Sequence, residues 1–313
     1  MLDGTGGREF DAIERIAARL GTAPPGELWI GDDAAVVRVG DGLVAIAADA
    51  VVAGVHLDLS LTTIVDAGWK AIAVNVSDLA AMGCVATRAL VTVSGPPDTD
   101  LDGLYDGIAA ASGHYECEVV GGDLTASPTL VISVTVLGNA AVEPPPVTRH
   151  GARAGDDLWI SGPLGAAAAG LRGLRWAASG GPPVDPSLIV AHARPVARVA
   201  EGTAARELGA TAMIDVSDGF GADLTHVLDA SGVGVVVDHV PATAGATDAE
   251  AEGGGEDYEL LWTGPPTARV VEDGFARRGL RAPIRIGRIV ADPGVRLLAG
   301  RRLSPAGWTH PIG

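Results

Sequence analysis

Apolar residues recur along this chain at two spacings, one typical of helices and one typical of strands. Ile13, Ile16 and Leu20 follow Phe10 at helical spacing, and the Pro-Pro-Gly at 24–26 ends that first helix. Further helical patterns cover 65–81, 101–115, 165–178, 196–207 and the second part of 212–230. Strands are predicted at 43–48, 89–93, 131–137, 158–161, 234–238, 258–263, 284–289 and 295–298. The pattern indicates a mixed α/β (α+β) fold.

One segment in the middle of the chain cannot continue a helix or a central strand. It begins at Asn139 and carries three consecutive prolines at 144–146, which lack backbone donors and fix the backbone. The chain has 313 residues, and a domain commonly has about 100–200. We therefore predict two domains, 1–147 and 148–313.

The basic residues exclude two common classes of phosphate-handling site. Lysine and arginine total 22, and Lys70 is the one lysine. A Walker loop and a protein-kinase site each need a lysine in a defined glycine-rich context, and Lys70 has neither. If the protein handles nucleotide phosphates, metal ions are expected to neutralise them.

Charge and hydropathy predict where the protein works. The net charge of −17 is spread along the chain, which makes a nucleic-acid surface unfavourable. No uncharged apolar run reaches about 18 residues, and the start has no signal-peptide pattern. Cys84 and Cys117 lack metal-ligand spacing and are expected to be reduced. We predict a cytoplasmic protein that binds neither membrane nor nucleic acid.

Six short motifs combine aspartate with glycine, serine or asparagine, and we interpret them as turns at the ends of strands or the starts of helices. Each alone is an ordinary cap or turn, but their repetition supplies the oxygen ligands that Mg²⁺–phosphate chemistry requires. The neighbouring glycines allow backbone N–H groups to approach phosphate. The motifs are Gly31-Asp32-Asp33, Asp49 after a strand, Asn75-Val76-Ser77-Asp78, Gly121-Gly122-Asp123, Ile214–Gly219 and Gly254–Leu260.

Seven longer segments resemble the thiamine-monophosphate kinase family of the AIR-synthase-like superfamily. The most specific are VNVSDLAAMG and GGEDYELL, and the closing Gly307-Trp308 resembles the family's motif on the substrate side. The resemblance implies an ATP-dependent enzyme that converts thiamine monophosphate to thiamine diphosphate with Mg²⁺. It also implies a homodimer, with the N-terminal domains paired and ATP between the two domains of each chain.

The resemblance assigns roles to individual residues. Magnesium ligands are implied at Asp32, Asp49, Asp78, Asp123, Asp215 and Asp218, and three of these, Asp78, Asp123 and Asp215, are also implied as catalytic. Nucleotide contacts are implied at Tyr105, Gly122, Arg149 and Ser217, and substrate contacts at His56, Glu256 and Trp308. Trp308 offers an aromatic face for a cationic ring, and Arg149 offers a fork for phosphate. Asp33 and Asp257 are interpreted as supporting caps.

The chain also departs from the family pattern. Ala47 and Ala48 stand where the family commonly has a hydroxyl residue before the aspartate, and the segment 239–253 is shorter than usual. These changes keep two alternatives open. One is a related ATP-using enzyme that acts on another phosphate or carboxylate, and the other is a nucleotide-binding scaffold that has lost catalysis.

Overall fold

Two β-sheets organise the computed structural model, which describes residues 7–305 and 307–310. The strands of the first sheet are β1 Ala35–Val39, β2 Gly42–Val52, β3 Val85–Gly95, β4 Glu118–Ala126 and β5 Val131–Ala140. Their order is β1-β2-β5-β3-β4, in which β4 runs parallel to β3 and the other neighbours are antiparallel. Both edges, β1 and β4, therefore lack a further strand within the described chain.

The second sheet contains the remaining seven strands. They are β6 Asp157–Ile160, β7 Ala212–Asp215, β8 Gly234–Val237, β9 Leu260–Gly264, β10 Ile284–Val290, β11 Arg296–Leu298 and β12 Arg301–Arg302. Their order is β12-β11-β8-β10-β6-β9-β7, with β11 parallel to β8 and the other pairs antiparallel. The predicted domain boundary lies between the two sheets, in the stretch from 141 to 156.

Helices pack on both sheets. They are α1 Gly7–Leu20, α2 Ile64–Ala81, α3 Leu101–Tyr115, α4 Ala166–Ala178, α5 Pro186–Ala193, α6 Val199–Glu207, α7 Phe220–Ser231, α8 Asp248–Gly253 and α9 Ala268–Arg277. No helix in the described part of the chain has the length and apolar character needed to cross a bilayer. The mixed α/β fold that the sequence predicts is confirmed.

Helix α2 lies between the two sheets and positions much of the cleft. A capping box begins it: the Thr63 hydroxyl accepts from Asp66 N at 3.1 Å, and Thr63 N donates to the Asp66 carboxylate. The helix is apolar on nearly all sides, which is typical of a buried helix, and it packs on β2, β5, α6 and β7. A Cβ on Gly202 of α6 would lie 2.1 Å from Ala80 O, so glycine is needed for this close packing.

Three predicted turns are parts of regular elements instead. The segment Asn75–Asp78 lies within α2, because tertiary packing outweighs the weak helix propensity of Asn, Ser and Asp. Asp49 lies within β2, and Gly121-Gly122-Asp123 lies within β4. A Cβ on Gly122 would lie 1.7 Å from Val91 O, so this glycine allows the strands to approach. Cys84 and Cys117 are free and buried, as expected.

Candidate functional site

A cleft of about 1280 Å³ opens between the two sheets and receives side chains from both halves of the chain. Its walls include the β1 entry turn, the end of α2, the turn after β7 and the segment before β9. Most of the residues predicted to be functional line this cleft, namely Asp32, Asp49, His56, Asp78, Arg149, Asp215, Ser217, Asp218, Glu256 and Trp308. The cleft is therefore the candidate active site.

Three carboxylates meet in the cleft at the spacing of a metal site. Asp33, Asp78 and Asp215 each present an oxygen, and these oxygens all lie within 4.8 Å of one another. Asp33 precedes β1, Asp78 lies on α2 and Asp215 ends β7, so three separate elements build the cluster. Like charges at this separation repel in a partly buried site unless a cation lies among them.

Hydrogen bonds hold these elements in register. The Ser77 hydroxyl donates to Asp215 Oδ2 at 2.5 Å, which joins α2 of the first half to β7 of the second. Asn75 Oδ1 accepts from Asp49 N at 2.8 Å, and Asn75 Nδ2 donates to Ala71 O at 2.9 Å. The polar residues of α2 therefore fix the helix against both sheets around the carboxylates.

Arg149 is the cation next to this cluster. Its Nη2 lies 2.6 Å from Asp33 Oδ1, and its backbone N donates to Asp32 Oδ1 at 3.0 Å. Asp33 Oδ2 is buried and has no hydrogen-bond partner among the described residues. One arginine can neutralise only one of these carboxylates, so the cluster carries excess negative charge.

The pKa values show the same imbalance. Burial raises the pKa of Asp78 and Asp215, and neighbouring carboxylates raise both further. Burial, with the charge of Asp33, raises the pKa of Asp32 to about 7. Burial raises the pKa of Asp218 to about 6. Binding a divalent cation here would favour the ionised carboxylates and remove this repulsion.

The carboxylates fit Mg²⁺ by their chemistry. Mg²⁺ prefers oxygen ligands and is commonly held by one or two carboxylates together with waters and phosphate oxygens. Asp33, Asp78 and Asp215 supply such oxygens, and the unpartnered Asp33 Oδ2 gives one buried acceptor without a donor. Asp49 and Asp218 line the same cleft. The site therefore fits the metal that the sequence predicts.

Asp33 changes the sequence interpretation of its motif. The sequence predicts a supporting cap at Asp33, yet Asp33 belongs to the cluster, whereas Asp32 lies beside it and accepts two backbone N–H groups. Asp257 does act as a cap, because its carboxylate accepts from Gly165 N at 2.6 Å and Ala167 N at 3.1 Å at the start of α4.

Three predicted site residues lie away from the cleft lining. Asp123 and Gly122 are exposed on the edge strand β4, and Asp123 contacts Thr125 at 3.1 Å. Tyr105 lies on α3 in a separate surface pocket beside Val119 and Val120. The single chain thus brings together most of the predicted residues but not these three, whose predicted roles in metal and nucleotide binding stay predictions.

The cleft lining also contains a glutamate that is paired with basic groups. Glu256 binds Lys70 Nζ through Oε1, and His192 Nδ1 lies 3.3 Å from its Oε2. Burial raises the pKa of Glu256, but His192 and Lys70 outweigh this effect and hold the pKa at about 2. The sequence interpretation missed Lys70 and His192, although a lone lysine in a buried helix was a signal that it has a partner.

The C-terminal segment returns to the cleft. Trp308 N donates to Asp218 O at 3.0 Å, and the Trp308 ring is half exposed. His56 Nδ1 accepts from Val52 N at 3.1 Å, and His56 Nε2 lies 3.4 Å from His310 Nε2. The His310 ring lies 5.1 Å from the His56 ring and 6.1 Å from the Trp308 ring, so three rings line this part of the cleft.

The chain is similar to known proteins along nearly its whole length. The family described as AIR synthase related protein, N-terminal domain, matches residues 31–140. Thiamine-monophosphate kinase of Mycobacterium tuberculosis is 36% identical over 96% of this chain and 90% of its own length. The thiamine-monophosphate kinase of Aquifex aeolicus is 34% identical over 96% of this chain and 97% of its own length.

A solved structure agrees with these relatives. The structure described as AaThiL complexed with AMPPCP and TMP has a TM-score of 0.83 and 31% identity, and each chain is covered to 97%. With 97% of this chain covered, the similarity includes residues of both sheets. The chain belongs to the thiamine-monophosphate kinase family.

Proposed function

We propose that this protein transfers the γ-phosphoryl group of ATP directly to the phosphate of thiamine monophosphate, giving thiamine diphosphate and ADP. The observation that carries the proposal is the cluster of Asp33, Asp78 and Asp215 in a cleft between the two sheets. Relatives that cover nearly the whole chain are thiamine-monophosphate kinases, and the similar solved structure is described as a complex with AMPPCP and TMP.

In this reaction an oxygen of the acceptor phosphate forms a bond to the γ-phosphorus, and the bond from that phosphorus to the bridging oxygen of ADP breaks. Such a transfer depends on positioning and on neutralising charge. Bound Mg²⁺ ions supply that neutralisation. We propose that Asp33, Asp78 and Asp215 hold them, with Asp32, Asp49 and Asp218 as neighbouring or outer ligands.

The remaining cleft residues position the two substrates. Arg149 presents a guanidinium beside the carboxylates, where it can contact phosphate, and Ser217 follows Asp215 in the same turn. Glu256, His56 and Trp308 line the acceptor end. We propose that Trp308 covers the cationic ring of thiamine monophosphate and that Glu256 accepts from its donor groups.

We also propose a homodimer that forms through the first sheet. Its edge strand β4 is free on one side and exposes Val120 and Leu124, each at 58%. Asp123 and Gly122 lie on the same strand, outside their own chain's cleft. A second copy would cover this apolar edge and bring Asp123 toward the partner's cleft.

The oligomeric state has a direct test. Light scattering should report about twice the 31.5 kDa mass of one chain, and a monomer at micromolar concentration would contradict the proposal.

If Asp123 acts on the partner's cleft, unfolding and co-refolding inactive Asp123→Asn with inactive Asp78→Asn should restore activity at about a quarter of the sites. No recovery despite mixed dimers would place Asp123 in its own chain's site.

One assay tests the activity. The protein is incubated with ATP, Mg²⁺ and thiamine monophosphate, and thiamine diphosphate is measured by chromatography. Formation of thiamine diphosphate and ADP in equal amounts is expected. ATP consumption that requires a different acceptor would favour a related enzyme of the superfamily, and nucleotide binding without turnover would favour a scaffold.

We propose a cytoplasmic location, which the free thiols of Cys84 and Cys117 support.

A further inference from the structure

The chain's single lysine lies beneath the acceptor end of the cleft. Lys70 is 2% exposed and lies two helical turns before Asp78 on α2. Its Nζ donates to Glu256 Oε1 and, at 3.2 Å, to the backbone carbonyl of His56. Lys70 therefore joins the two elements that carry proposed substrate contacts, the segment before β9 and the loop after β2.

A second basic residue faces the other oxygen of the same carboxylate. His192 lies on α5, is 7% exposed, and its Nδ1 is 3.3 Å from Glu256 Oε2. Each oxygen of Glu256 thus has one basic neighbour, and the two neighbours come from different helices. Only the contact from Lys70 meets hydrogen-bond geometry, since His192 Nδ1 has no hydrogen-bond partner among the described residues. A carboxylate offers about four lone-pair sites, so about three remain for His192 and a ligand in the cleft.

The backbone of Glu256 is also constrained. Its φ of 68° lies in the left-handed region, which is uncommon for a residue with a side chain. Glu256 N donates to Ser217 O at 2.7 Å, and this bond fixes the residue to the turn after β7. Both ends of Glu256 are therefore held before any substrate enters.

Glu259 is a nearby glutamate that also pairs with basic side chains but does not line the cleft. Glu259 is 4% exposed and binds Arg198 at 2.8 Å and Arg281 at 2.7 Å. It does not line the cleft, whereas Glu256 and His192 do. The two glutamates are three residues apart, so the Glu259 network provides a matched structural control.

We propose that Lys70 and His192 are positioning residues for the acceptor substrate, which hold the Glu256 carboxylate in one orientation so that it accepts hydrogen bonds from thiamine monophosphate. The inference rests on the proposed function. It assigns Lys70 no contact with the nucleotide, because its two polar contacts are both on the acceptor side.

Steady-state kinetics of Lys70→Met provide the first test, with ATP and thiamine monophosphate varied separately. The KM for thiamine monophosphate should rise about 10- to 100-fold, as expected when one partner of a buried charged pair is lost. The KM for ATP should change less than about twofold, because the nucleotide end keeps its contacts. Arg281→Met should leave both KM values near wild type.

The histidine offers a second pair of variants that does not depend on the folding of Lys70→Met. His192→Asn keeps a donor near the position of Nδ1, and His192→Leu removes it. The leucine variant should raise the KM for thiamine monophosphate about tenfold relative to the asparagine variant. Equal KM values in the two variants would overturn the role of His192.

A double-mutant cycle separates positioning from general stabilisation. If Lys70 acts through Glu256, then Lys70→Met combined with Glu256→Gln should raise the KM no further than Glu256→Gln alone. Fully additive losses, or an unchanged KM in Lys70→Met, would overturn the inference while wild type still formed thiamine diphosphate. A wild-type protein that forms none would instead contradict the proposed function.

Discussion

Two groups of carboxylates line the cleft with different partners: Asp33, Asp78 and Asp215 lie together beside Arg149, whereas Glu256 faces both Lys70 and His192. Asp215 is buried, whereas the Glu256 side chain is 26% exposed. The pKa of Asp78 and Asp215 is raised by burial and by neighbouring carboxylates, while the pKa of Glu256 is about 2.

The opposite directions of these pKa shifts come from the charged partners, because burial raises the pKa in both groups. The carboxylate cluster is electrostatically incomplete, which suits a site that gains cations together with its nucleotide. The Glu256 pair is complete before ligand arrives, which suits a site whose geometry is set in advance. The cleft therefore combines a carboxylate cluster that lacks positive charge with a glutamate whose basic partners are already in place. Substitutions in these two groups should have different effects on turnover, stability and KM.

The largest effect should come from removing one charge of the cluster. Asp78→Asn and Asp215→Asn should each lower turnover by at least about 100-fold, because the charge that holds the metal is lost. Without Mg²⁺ the melting temperature should stay level or rise, since the change also removes like-charge repulsion. The chromatographic assay of thiamine diphosphate measures the turnover, and calorimetry in EDTA measures the melting temperature.

Asp98→Asn is the control for this pair, because Asp98 is exposed on the loop before α3. It should leave both turnover and melting temperature at their wild-type values. A wild-type rate in both cluster variants would show that these carboxylates hold no catalytic metal.

The pH dependence of stability should distinguish the two ends. Asp32 and Asp218 have pKa values of about 7 and about 6 in the fold, above the ordinary value of 3.8, so the native state binds more protons. In EDTA, their contribution should stabilise the protein as pH falls from about 8 to about 5, by on the order of 2 kcal/mol. Saturating Mg²⁺ should weaken this gain, because the ion holds the carboxylates ionised.

The comparison of unfolding curves in EDTA and in Mg²⁺ at each pH isolates this contribution. Glu256, whose pKa is lowered, acts in the opposite direction below about pH 4 and is common to both conditions. Parallel pH profiles in the two conditions would show that the cluster binds no Mg²⁺.

Removing an ion pair that lies away from the cleft should lower the stability of the protein without changing its activity. Arg281→Met removes one of two arginines from Glu259, and the Arg281 side chain is 43% exposed, so the loss is moderated by solvent. We expect the free energy of unfolding to fall by about 1–2 kcal/mol, with unchanged dependence on Mg²⁺. Urea denaturation measures the first quantity, and a shifted magnesium requirement would contradict the second.

The smallest effect should come from restoring a hydroxyl near the cluster. Ala48 lines the cleft and is exposed, next to Asp49. Ala48→Thr should lower the Mg²⁺ requirement about 2–12-fold, because one added contact is worth about 0.5–1.5 kcal/mol. Initial rates at fixed MgATP and varied free Mg²⁺ measure the change. Ala50→Thr, two residues further along the strand and outside the cleft lining, is the matched control, and superimposable curves for Ala48→Thr and wild type would contradict the prediction.

The sequence motifs predict most of the residues that line the cleft, but they do not predict which of these residues contact one another. Adjacent Asp32 and Asp33 are indistinguishable in sequence, and only the backbone at Gly31 and the contacts of Arg149 decide which one enters the cluster. Asp123 lies on the edge strand β4, and the order of strands in a sheet is a tertiary feature that local sequence patterns do not encode.

Some structure was missed although a signal was present. Thr247 and Glu250 form a capping box at the start of α8, in a segment that the sequence interpretation left without a helix. The opposite case is Asn75–Asp78, whose residues favour turns in isolation but lie in α2 because packing from both sheets surrounds it. Local chemistry could predict the first, and only tertiary contacts explain the second.

The hydrogen bond from Ser77 to Asp215 crosses from one half of the chain to the other at the cluster itself. A hinge movement between the halves would therefore separate Asp78 from Asp215 and dismantle the ligand set. If the cluster holds Mg²⁺ as proposed, its affinity for the ion depends on how the two halves are aligned. A substitution that wedges α6 away from α2, such as Gly202→Ala, should thus weaken the binding of an ion that it never touches.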